Sequence, residues 1–195
     1  MNKKVLNSNK ELQAYIIGIA LGDGNLSNPN GRATRLRIFC DTKYPFLIKK
    51  ISKSLQKLLP SNKVSTSYSK FENCATISCY SNYWPKLLGW QAKEGSKFKQ
   101  KVFIPNWIRE NKQYTINYIR GLIETDGSIY LDRKYKTMMF VSNISNLAND
   151  FFKCVISLNY KPRFYKIKQD NKAIYHIRLC KKIDEFLNLV KPEKR

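Results

Sequence analysis

The segment "YIIGIALGDGNLS" (residues 15–27) is an apolar helical pattern that ends in an aspartate, Asp23, followed by glycine. A second segment, "YIRGLIETDGSIY" (residues 118–130), repeats this arrangement and ends at Asp126. An acid in the last turn is mildly unfavourable, because a helix carries partial negative charge at its C-terminus. Two acids at matching positions therefore indicate a function other than stabilising the helix. The glycine after each acid predicts a left-handed helix C-cap.

The two segments belong to an internal repeat, because the second aligns with the first at an offset of 103 residues. After each segment the order of patterns is two strands, a helix, two more strands and a last helix. This order predicts an α+β fold made of two related repeats. We expect the N-terminal repeat in residues 1–100, a linker in 101–113 and the C-terminal repeat in 114–195.

The charge of the chain points to a polyanionic partner. Lysine and arginine total 36 against 14 acids, a formal net charge of +22. Nucleic acid is the usual partner of such a chain, and an acidic membrane surface or solubility alone are the alternatives. The sequence contains no run of eighteen apolar residues, which a membrane-spanning helix would need. The N-terminus also lacks the apolar core of a signal peptide. The many Lys, Asn and Ile residues are typical of an A/T-rich gene. They predict that the protein is located in an organelle (mitochondrion or chloroplast) or in the cytoplasm of an A/T-rich microbe.

The cysteines and the single histidine exclude some kinds of site. Five cysteines occur without a CxxC pair, so the chain lacks the paired ligand spacing of a structural zinc site. We interpret them as reduced, buried thiols. The lone histidine, His176, disfavours nucleases that are built on a catalytic histidine pair or cluster.

Several predicted strands alternate basic and apolar residues. Arg35 and Arg37 share one face of "RATRLRIFC", and lysines alternate with apolar residues in "FYKIKQ". Such a sheet packs helices on its apolar face and presents cations on the other. For any single strand, an ordinary solvated face is the alternative. The candidate DNA-contacting residues are Arg32, Arg35, Arg37, Lys134, Lys136, Arg163, Lys166, Lys168, His176 and Arg178.

Small residues on each repeated helix predict how the two acids are used. Gly18 and Gly22 lie four residues apart on one helix face, and Gly121 and Thr125 do the same in the second copy. Such faces let helix backbones approach closely, which would bring the two aspartates together. Adjacent carboxylates are costly unless a divalent cation neutralises them, and oxygen ligands select Mg²⁺. The alternative is that each Asp-Gly pair is only a turn signal.

The segments "IIGIALGDG" (16–24) and "IRGLIETDG" (119–127) resemble the paired LAGLIDADG motifs of homing endonucleases. The segment "LGWQAKEGSKFKQKVFIP" ahead of the second motif is also similar to the family. The resemblance implies a monomeric, pseudo-twofold enzyme of αββαββα repeats, whose two four-stranded sheets form a saddle over a long, asymmetric double-stranded DNA site. It implies cleavage of both strands with Mg²⁺. We expect Mn²⁺ to replace Mg²⁺ and Ca²⁺ to support binding without cleavage.

The resemblance assigns metal binding to the last acid of each motif, Asp23 and Asp126, with the backbone carbonyls of Gly22 and Thr125 as further ligands. The sixth motif position, often an aspartate in the family, is a leucine in the first motif and Glu124 in the second. That position is not the essential ligand, so we expect activity to be retained. We expect Glu124 to cap the helix or to pair with a neighbouring cation.

The family also has polar residues that organise solvent around the metals and a basic residue near each active site. The solvent-organising residues map to Asp41 or Thr42 and to Ser142 or Asn143, and the basic residues to Lys97 and to Lys194 or Lys191. A lysine there would stabilise the negative charge of the transition state. Because the chain has so many lysines, a solvated charge is an equal alternative for each one.

Other functions fit parts of the pattern. A maturase that binds its host intron RNA would use the same fold and charge. The presence of both aspartates favours a nuclease, but it does not exclude this RNA-binding role. A DNA-binding regulator on this scaffold would need an additional helix-turn-helix domain, for which 195 residues leave no room. A generic basic RNA-binding protein has no reason to repeat the motif.

Overall fold

A computed structural model describes residues 6–169 and 172–193. The first repeat consists of α1 (Lys10–Asp23), β1 (Gly24–Ser27), β2 (Arg35–Asp41), α2 (Pro45–Leu58), β3 (Val64–Tyr68), β4 (Cys74–Tyr80) and α3 (Trp84–Leu88). A short helix, α4 (Asn106–Arg109), lies in the connection. The second repeat consists of α5 (Lys112–Asp126), β5 (Gly127–Asp132), β6 (Tyr135–Ser142), α6 (Ser145–Ser157), β7 (Arg163–Gln169), β8 (Lys172–Leu179) and α7 (Ile183–Val190). The predicted order of elements is confirmed.

Each repeat forms one antiparallel sheet of four strands. The strand order is β1-β2-β4-β3 in the first sheet and β5-β6-β8-β7 in the second. Residues of the central strands alternate between a buried face and an outer face, as Leu36, Ile38 and Ile77 show by their complete burial. The helices cover the buried face, because only that face carries a continuous apolar surface. The predicted α+β fold of two repeats is confirmed.

The central helices α1 and α5 begin in the same way and are buried on nearly all sides. The Asn9 side chain accepts a hydrogen bond from the backbone N–H of Leu12, and the Asn111 side chain accepts from Gln113 and Tyr114. Asparagine is a preferred N-cap residue because its side chain replaces a missing helical partner. Residues 13–21 of α1 are all buried. Within residues 6–169 and 172–193, no helix has both the length and the apolar character needed to cross a membrane.

The backbones of α1 and α5 touch through their small residues. A Cβ added to Gly18 would strike the carbonyl oxygen of Tyr118, and one added to Gly121 would lie 2.7 Å from the backbone nitrogen of Ile19. Real Cβ atoms do not approach backbone atoms so closely. The predicted contact between the small-residue faces of the two helices is therefore confirmed.

The glycines that follow the two helices are not left-handed C-caps, so that prediction is wrong. Gly24 and Gly127 have φ angles of −81° and −88°, which is extended backbone. Each chain passes directly from the helix into the next strand. A Cβ at Gly24 would lie 2.6 Å from the Cα of Ala20, and one at Gly127 would lie 2.7 Å from the Cα of Ile123. Glycine is required here by lack of space, and a sequence pattern does not distinguish that demand from a left-handed cap.

The connection between the repeats packs on the second repeat. Asp150 of α6 is buried, accepts a hydrogen bond from the Ile104 backbone N–H at 2.8 Å and forms an ion pair with Arg109. Burial raises the pKa of Asp150, although both contacts oppose that rise. Since α5 already begins at Lys112, the central helix starts inside the predicted linker. The boundaries at residues 100 and 113 stay a prediction.

All five cysteines lie in the described residues, and none of them is part of a disulfide bond. Cys40, Cys79 and Cys154 are buried, as predicted, whereas Cys180 is exposed. Burial raises the pKa of the Cys154 thiol to about 12, so this cysteine stays protonated and unreactive at neutral pH.

Replacing Gly18 by alanine should destabilise the protein by about 1–3 kcal/mol, because the added methyl group meets backbone rather than a flexible side chain. Gly121→Ala should cause a similar loss. Urea unfolding followed by circular dichroism gives the free energy of unfolding of each variant. Lys53→Ala, on the exposed side of α2, should change it by less than about 0.5 kcal/mol. A Gly18→Ala protein as stable as the parent would show that the two backbones do not touch.

Candidate active site and nucleic-acid interface

The two motif aspartates end the central helices, at the place where these helices meet. Asp23 is the last residue of α1 and Asp126 is the last residue of α5. The last turns are in contact, since a Cβ on Gly22 would lie 2.6 Å from the Cβ of Thr125. Both aspartates are half-buried, and both interact electrostatically with Lys97. The helix ends that the repeat predicted to meet do so here, and metal binding by the two acids stays a prediction.

Lys97 reaches this point from the segment after α3. Its ammonium donates hydrogen bonds to three carbonyl oxygens of the last turn of α1, those of Ala20 at 3.3 Å, Leu21 at 2.7 Å and Gly22. Burial lowers the pKa of Lys97 from 10.5 to about 8, against the attraction of the two motif aspartates, which raises it. The group is therefore mostly charged at neutral pH and places a positive charge beside both acids.

The atoms at this point fit a hard divalent cation. Two carboxylates and the last carbonyls of two helices offer only oxygen ligands, which Mg²⁺ prefers. The Lys97 ammonium already bonds to three of these carbonyls, so the end of α1 does bind positive charge. In the part of the chain that the structure describes, no group of three or more His, Cys, Asp or Glu side chains could hold a metal. A cation held by the two acids would therefore need backbone, water or substrate oxygens as well.

Arg35 and Arg37 lie on the outer face of the first sheet, as their alternation in β2 predicts. The Arg37 guanidinium donates to the Asn25 side-chain oxygen at 2.8 Å, and Arg35 Nε donates to the Ser27 hydroxyl at 3.3 Å. Residues of β1 thus orient both arginines. Arg32 lies in the exposed loop that precedes β2.

Arg163, His176 and Arg178 lie on the outer face of the second sheet. Arg163 is the cross-strand partner of Arg178, which in turn lies opposite Met139. Arg178 also forms an ion pair with Asp132 of β5. Two strands, β7 and β8, therefore contribute the basic residues of this face, and β5 contributes an acid that pairs with one of them.

Lys166 and Lys168 do not lie on that outer face, and their assignment to it is wrong. Lys166 is the cross-strand partner of Tyr175, and Tyr175 packs against the core. Lys168, two residues further, shares this side of the sheet. Both lysines are solvent-exposed at the edge strand, but on the side that carries the helices.

Two further lysines of the second sheet also differ from the prediction. Lys136 alternates with the buried Met138 in β6 and forms an ion pair with Asp184 of α7 at 2.9 Å, so it points towards the helices. Lys134 is not in a strand. It lies with Arg133 in the turn between β5 and β6, where φ is 74° for Lys134 and 47° for Arg133.

Apolar residues occupy part of the outer face that the sequence pattern reserved for cations. Tyr165 and Ile167 of β7 are 40% and 46% exposed and share a face with His176 and Arg163. The pattern in "FYKIKQ" placed them in the core because apolar residues are usually buried. The register of β7 with β8 shows which face each residue occupies. The sequence of one strand alone does not reveal that register.

Comparison with known proteins agrees with this geometry. A model of the LAGLIDADG-like domain matches residues 113–188, and a model of the WhiA LAGLIDADG-like domain matches residues 12–75. The chain belongs to the LAGLIDADG family. Each of its two repeats is recognised separately, and each match includes one of the two central helices.

Solved LAGLIDADG structures share the fold over nearly the whole chain. Mesophilic variants of the homing endonuclease I-DmoI superpose with a TM-score of 0.68 at 14% identity, covering 93% of this chain and 95% of that chain. The N-terminal LAGLIDADG domain of DUF199/WhiA gives 0.59 at 13% identity, with 96% and 84% covered. I-WcaI bound to its DNA recognition sequence gives 0.57 at 17% identity, with 96% and 83% covered.

A curated relative is the tRNA-splicing ligase RtcB of Methanopyrus kandleri. It is 24% identical over an alignment 212 positions long, which covers 93% of this chain and 21% of the relative. The chain thus spans about a fifth of the length of that protein. The match says that a similar sequence occurs inside a much longer chain.

The sixth position of the LAGLIDADG motif is where the repeats differ most in chemistry. The Glu124 carboxylate is buried and accepts hydrogen bonds from the Tyr15 hydroxyl at 2.6 Å, the Lys50 ammonium at 2.7 Å and the Glu193 backbone N–H at 2.8 Å. The expected pairing of Glu124 with a cation is confirmed. In the described residues, the matching tyrosine of the second repeat, Tyr118, has a buried hydroxyl with no hydrogen-bond partner.

The positions expected to organise solvent lie where β2 and β6 end. Asp41 forms an ion pair with the lysine two residues further at 2.7 Å, and Thr42 is half-buried. Asn143 is exposed. Ser142 is only 8% exposed, and its hydroxyl accepts the Ile144 backbone N–H at 3.1 Å. Ser142 therefore stabilises the turn before α6, which does not fit a solvent-facing role.

The lysine expected at the second motif is still open. Lys191 follows α7 with an exposed side chain and a φ of 52°. Lys194 lies outside the described residues. The Lys97 ammonium donates hydrogen bonds to the last carbonyls of α1, and Asp126 attracts it at least as strongly as Asp23 does, so this one lysine lies beside both motif acids.

Replacing Glu124 by glutamine should lower the free energy of unfolding by about 2–3 kcal/mol. The Lys50 ammonium would lose the nearer of its two charged partners, and the loss is smaller than for a fully buried pair because the Lys50 side chain is 27% exposed. Glu193→Gln removes a more exposed partner of the same lysine, at 3.7 Å, and should change stability by less than about 1 kcal/mol. Urea unfolding of both variants tests this, and equal losses would contradict it.

Proposed function

We propose that this protein is a homing endonuclease that cuts both strands of a long, asymmetric DNA site and acts as a monomer. The observation that carries the proposal is the pair of motif aspartates, retained in both repeats and placed at touching helix ends beside the Lys97 ammonium. The net charge of +22 supports a nucleic-acid substrate. Structural neighbours that are homing endonucleases bound to DNA add further support.

In this proposal Asp23 and Asp126 hold Mg²⁺, together with the carbonyl oxygens of Gly22 and Thr125. Held there, Mg²⁺ would supply activation of a water molecule and neutralisation of charge on the scissile phosphodiester. The chain itself holds these oxygens at the ends of two helices whose contact prevents sliding. Lys97 supplies a positive charge for the oxyanion that develops during hydrolysis. The structural neighbour I-DmoI has been solved in complex with DNA and Mn, and with DNA and Ca, which supports the use of divalent metals.

The outer sheet faces would lie along the duplex, one on each side of the cleavage position. Arg35 and Arg37 occupy the first face, and Arg163, His176 and Arg178 occupy the second. Arginine pairs with guanine in the major groove and with backbone phosphates. Because the two faces differ in sequence, the two halves of the DNA site would differ as well.

A non-catalytic role is the second candidate, since the model of the WhiA LAGLIDADG-like domain matches the first repeat. Binding of a host intron RNA, as in a maturase, is another use of the same basic faces. Retention of both acids favours the nuclease, because a purely binding protein gains nothing from two carboxylates beside a nucleic acid.

The decisive experiment incubates the full chain with a randomised duplex library in Mg²⁺ and sequences the cut ends. We expect one long motif cut on both strands. Asp23→Asn and Asp126→Asn should each reduce double-strand cleavage by about 10³-fold or more, while duplex binding stays within about threefold of the parent. Asp184→Asn removes an exposed acid of α7 and should cut normally. Double-strand cleavage at the parental rate by either motif variant would exclude the assigned role. Tight duplex binding without cleavage would favour the non-catalytic candidate.

Lys97→Met should lower the rate of cleavage by about 10²-fold with little change in duplex affinity, because the lost charge acts mainly on the transition state. Lys99→Met, two residues away and exposed, is the matched control and should cleave normally. Single-turnover rates and a binding titration separate the two effects. Equal behaviour of the two variants would assign Lys97 a purely structural role.

A further inference from the structure

The two sheets occupy equivalent places in the fold, but their outer faces are chemically different. Strand registers align the faces row by row. One row reads Asn25, Arg37, Ser78 and Ser65 in the first sheet and Ser128, Met139, Arg178 and Arg163 in the second. The next row reads Phe39, Thr76 and Ser67 in the first sheet and Val141, His176 and Tyr165 in the second. Four hydroxyl-bearing residues of the first sheet thus correspond to two arginines, a histidine and a tyrosine in the second, and Arg37 corresponds to Met139.

The second sheet carries a cluster of apolar side chains on its outer face, which we name the apolar patch. Its members are Met139, Val141, Tyr165, Ile167 and Ile174. Ile167 and Ile174 are cross-strand partners, as the register of β7 with β8 shows. Tyr165 and Ile167 are 40% and 46% exposed, and the other three are half-buried. The patch alternates with the buried Phe140 and Ile177, so it faces away from the core.

The position of the patch places it inside the proposed DNA interface. Gly127 lies opposite Phe140, so Val141 lies close to Asp126 along the sheet. His176 lies between Val141 and Tyr165 in one row of this face, and Arg178 and Arg163 follow Met139 in the next, so cations alternate with the patch residues. Apolar side chains interspersed with cations, in a chain with a net charge of +22, suit a polyanion that exposes apolar groups between its phosphates.

Duplex DNA exposes one such group in the major groove, the C5-methyl group of thymine. Aliphatic side chains gain from contact with that methyl, and they leave the hydrogen-bonding edges of guanine, cytosine and adenine without partners. On the proposed function as a DNA endonuclease, we propose that the apolar patch reads thymine methyl groups in the half-site bound by the second repeat. The outer face of the first repeat carries Phe39 and Tyr80, but it consists largely of serine, threonine, asparagine and arginine, so that repeat reads its half-site mainly by hydrogen bonds.

Stacking of unpaired RNA bases is the other use of an apolar sheet face, and it relies on aromatic rings. Four of the five patch residues are not aromatic, Tyr165 being the exception. The composition of the patch therefore favours methyl contacts over base stacking.

The test begins with the full-length Asp23→Asn, Asp126→Asn double variant, which should bind without cutting, and a randomised duplex library. Sequencing of the bound fraction gives the preferred site. We expect thymines to be enriched in one half of the site, near its centre. If no duplex motif is enriched, the proposed function and this inference both fail. If a motif is enriched without a thymine-rich half, only this inference fails.

Deoxyuridine then replaces the enriched thymines one at a time. It keeps the base pair with adenine and removes only the methyl group. Each replacement in the half-site of the second repeat should weaken binding about three- to fivefold, as expected for loss of one buried carbon. Replacements in the other half should change affinity by less than about 1.5-fold. Equal effects in both halves, or none, would overturn the inference.

Variants of the patch connect this effect to the side chains. Ile167→Ala should abolish most of the penalty for deoxyuridine at one or two positions, and its exposed site keeps the fold intact. Ile156→Ala is the matched control, because this isoleucine of α6 is also 46% exposed but lies outside the sheet. A penalty that survives Ile167→Ala and Tyr165→Ala would overturn the assignment. So would single-stranded RNA that competes with the selected duplex through these same residues.

Discussion

The backbones of α1 and α5 touch at Gly18 and Gly121, with no side chain between them. This contact accepts one relative position of the helices, because a shift along either axis would bring a larger residue against backbone. The last turns then meet at Gly22 and Thr125, and the motif acids follow immediately. The first strand of each sheet follows directly from one of these helices, so the contact sets the distance between the acids and the relation between the two sheets.

The charged groups at the helix ends destabilise the fold but are suited to the candidate site. Two carboxylates at helix C-termini are unfavourable, and burial of the Lys97 ammonium lowers its pKa to about 8. Groups in such unfavourable positions are typical of functional sites, where the cost is offset once the substrate arrives. Glu124 shows the opposite case. Its buried carboxylate has three hydrogen-bond partners from three parts of the chain, and it joins the first repeat to the second.

The fold by itself leaves the activity open. Homing endonucleases and the LAGLIDADG domain of WhiA share this architecture at 13–17% identity, and one fold commonly serves several functions. Function depends on what the shared framework carries. Here the framework carries two acids at the helix contact and two outer faces of different chemistry. A duplicated fold whose halves have diverged in this way is suited to a DNA site without symmetry.

The sequence alone determined the repeat, the order of its elements, the contact of the small-residue helix faces and the meeting of Asp23 with Asp126. Each depends on local patterns or on a repeated motif, which a linear sequence contains. The tertiary structure decided which way the edge strand β7 faces, so that Lys166 and Lys168 turned to the helix side and Tyr165 and Ile167 to the outer face. An exposed edge strand has little burial to reveal its orientation, and its register with β8 sets its faces. The reason for glycine at positions 24 and 127 was likewise visible only in the tertiary structure, because the chain there passes from helix to strand with no room for a side chain.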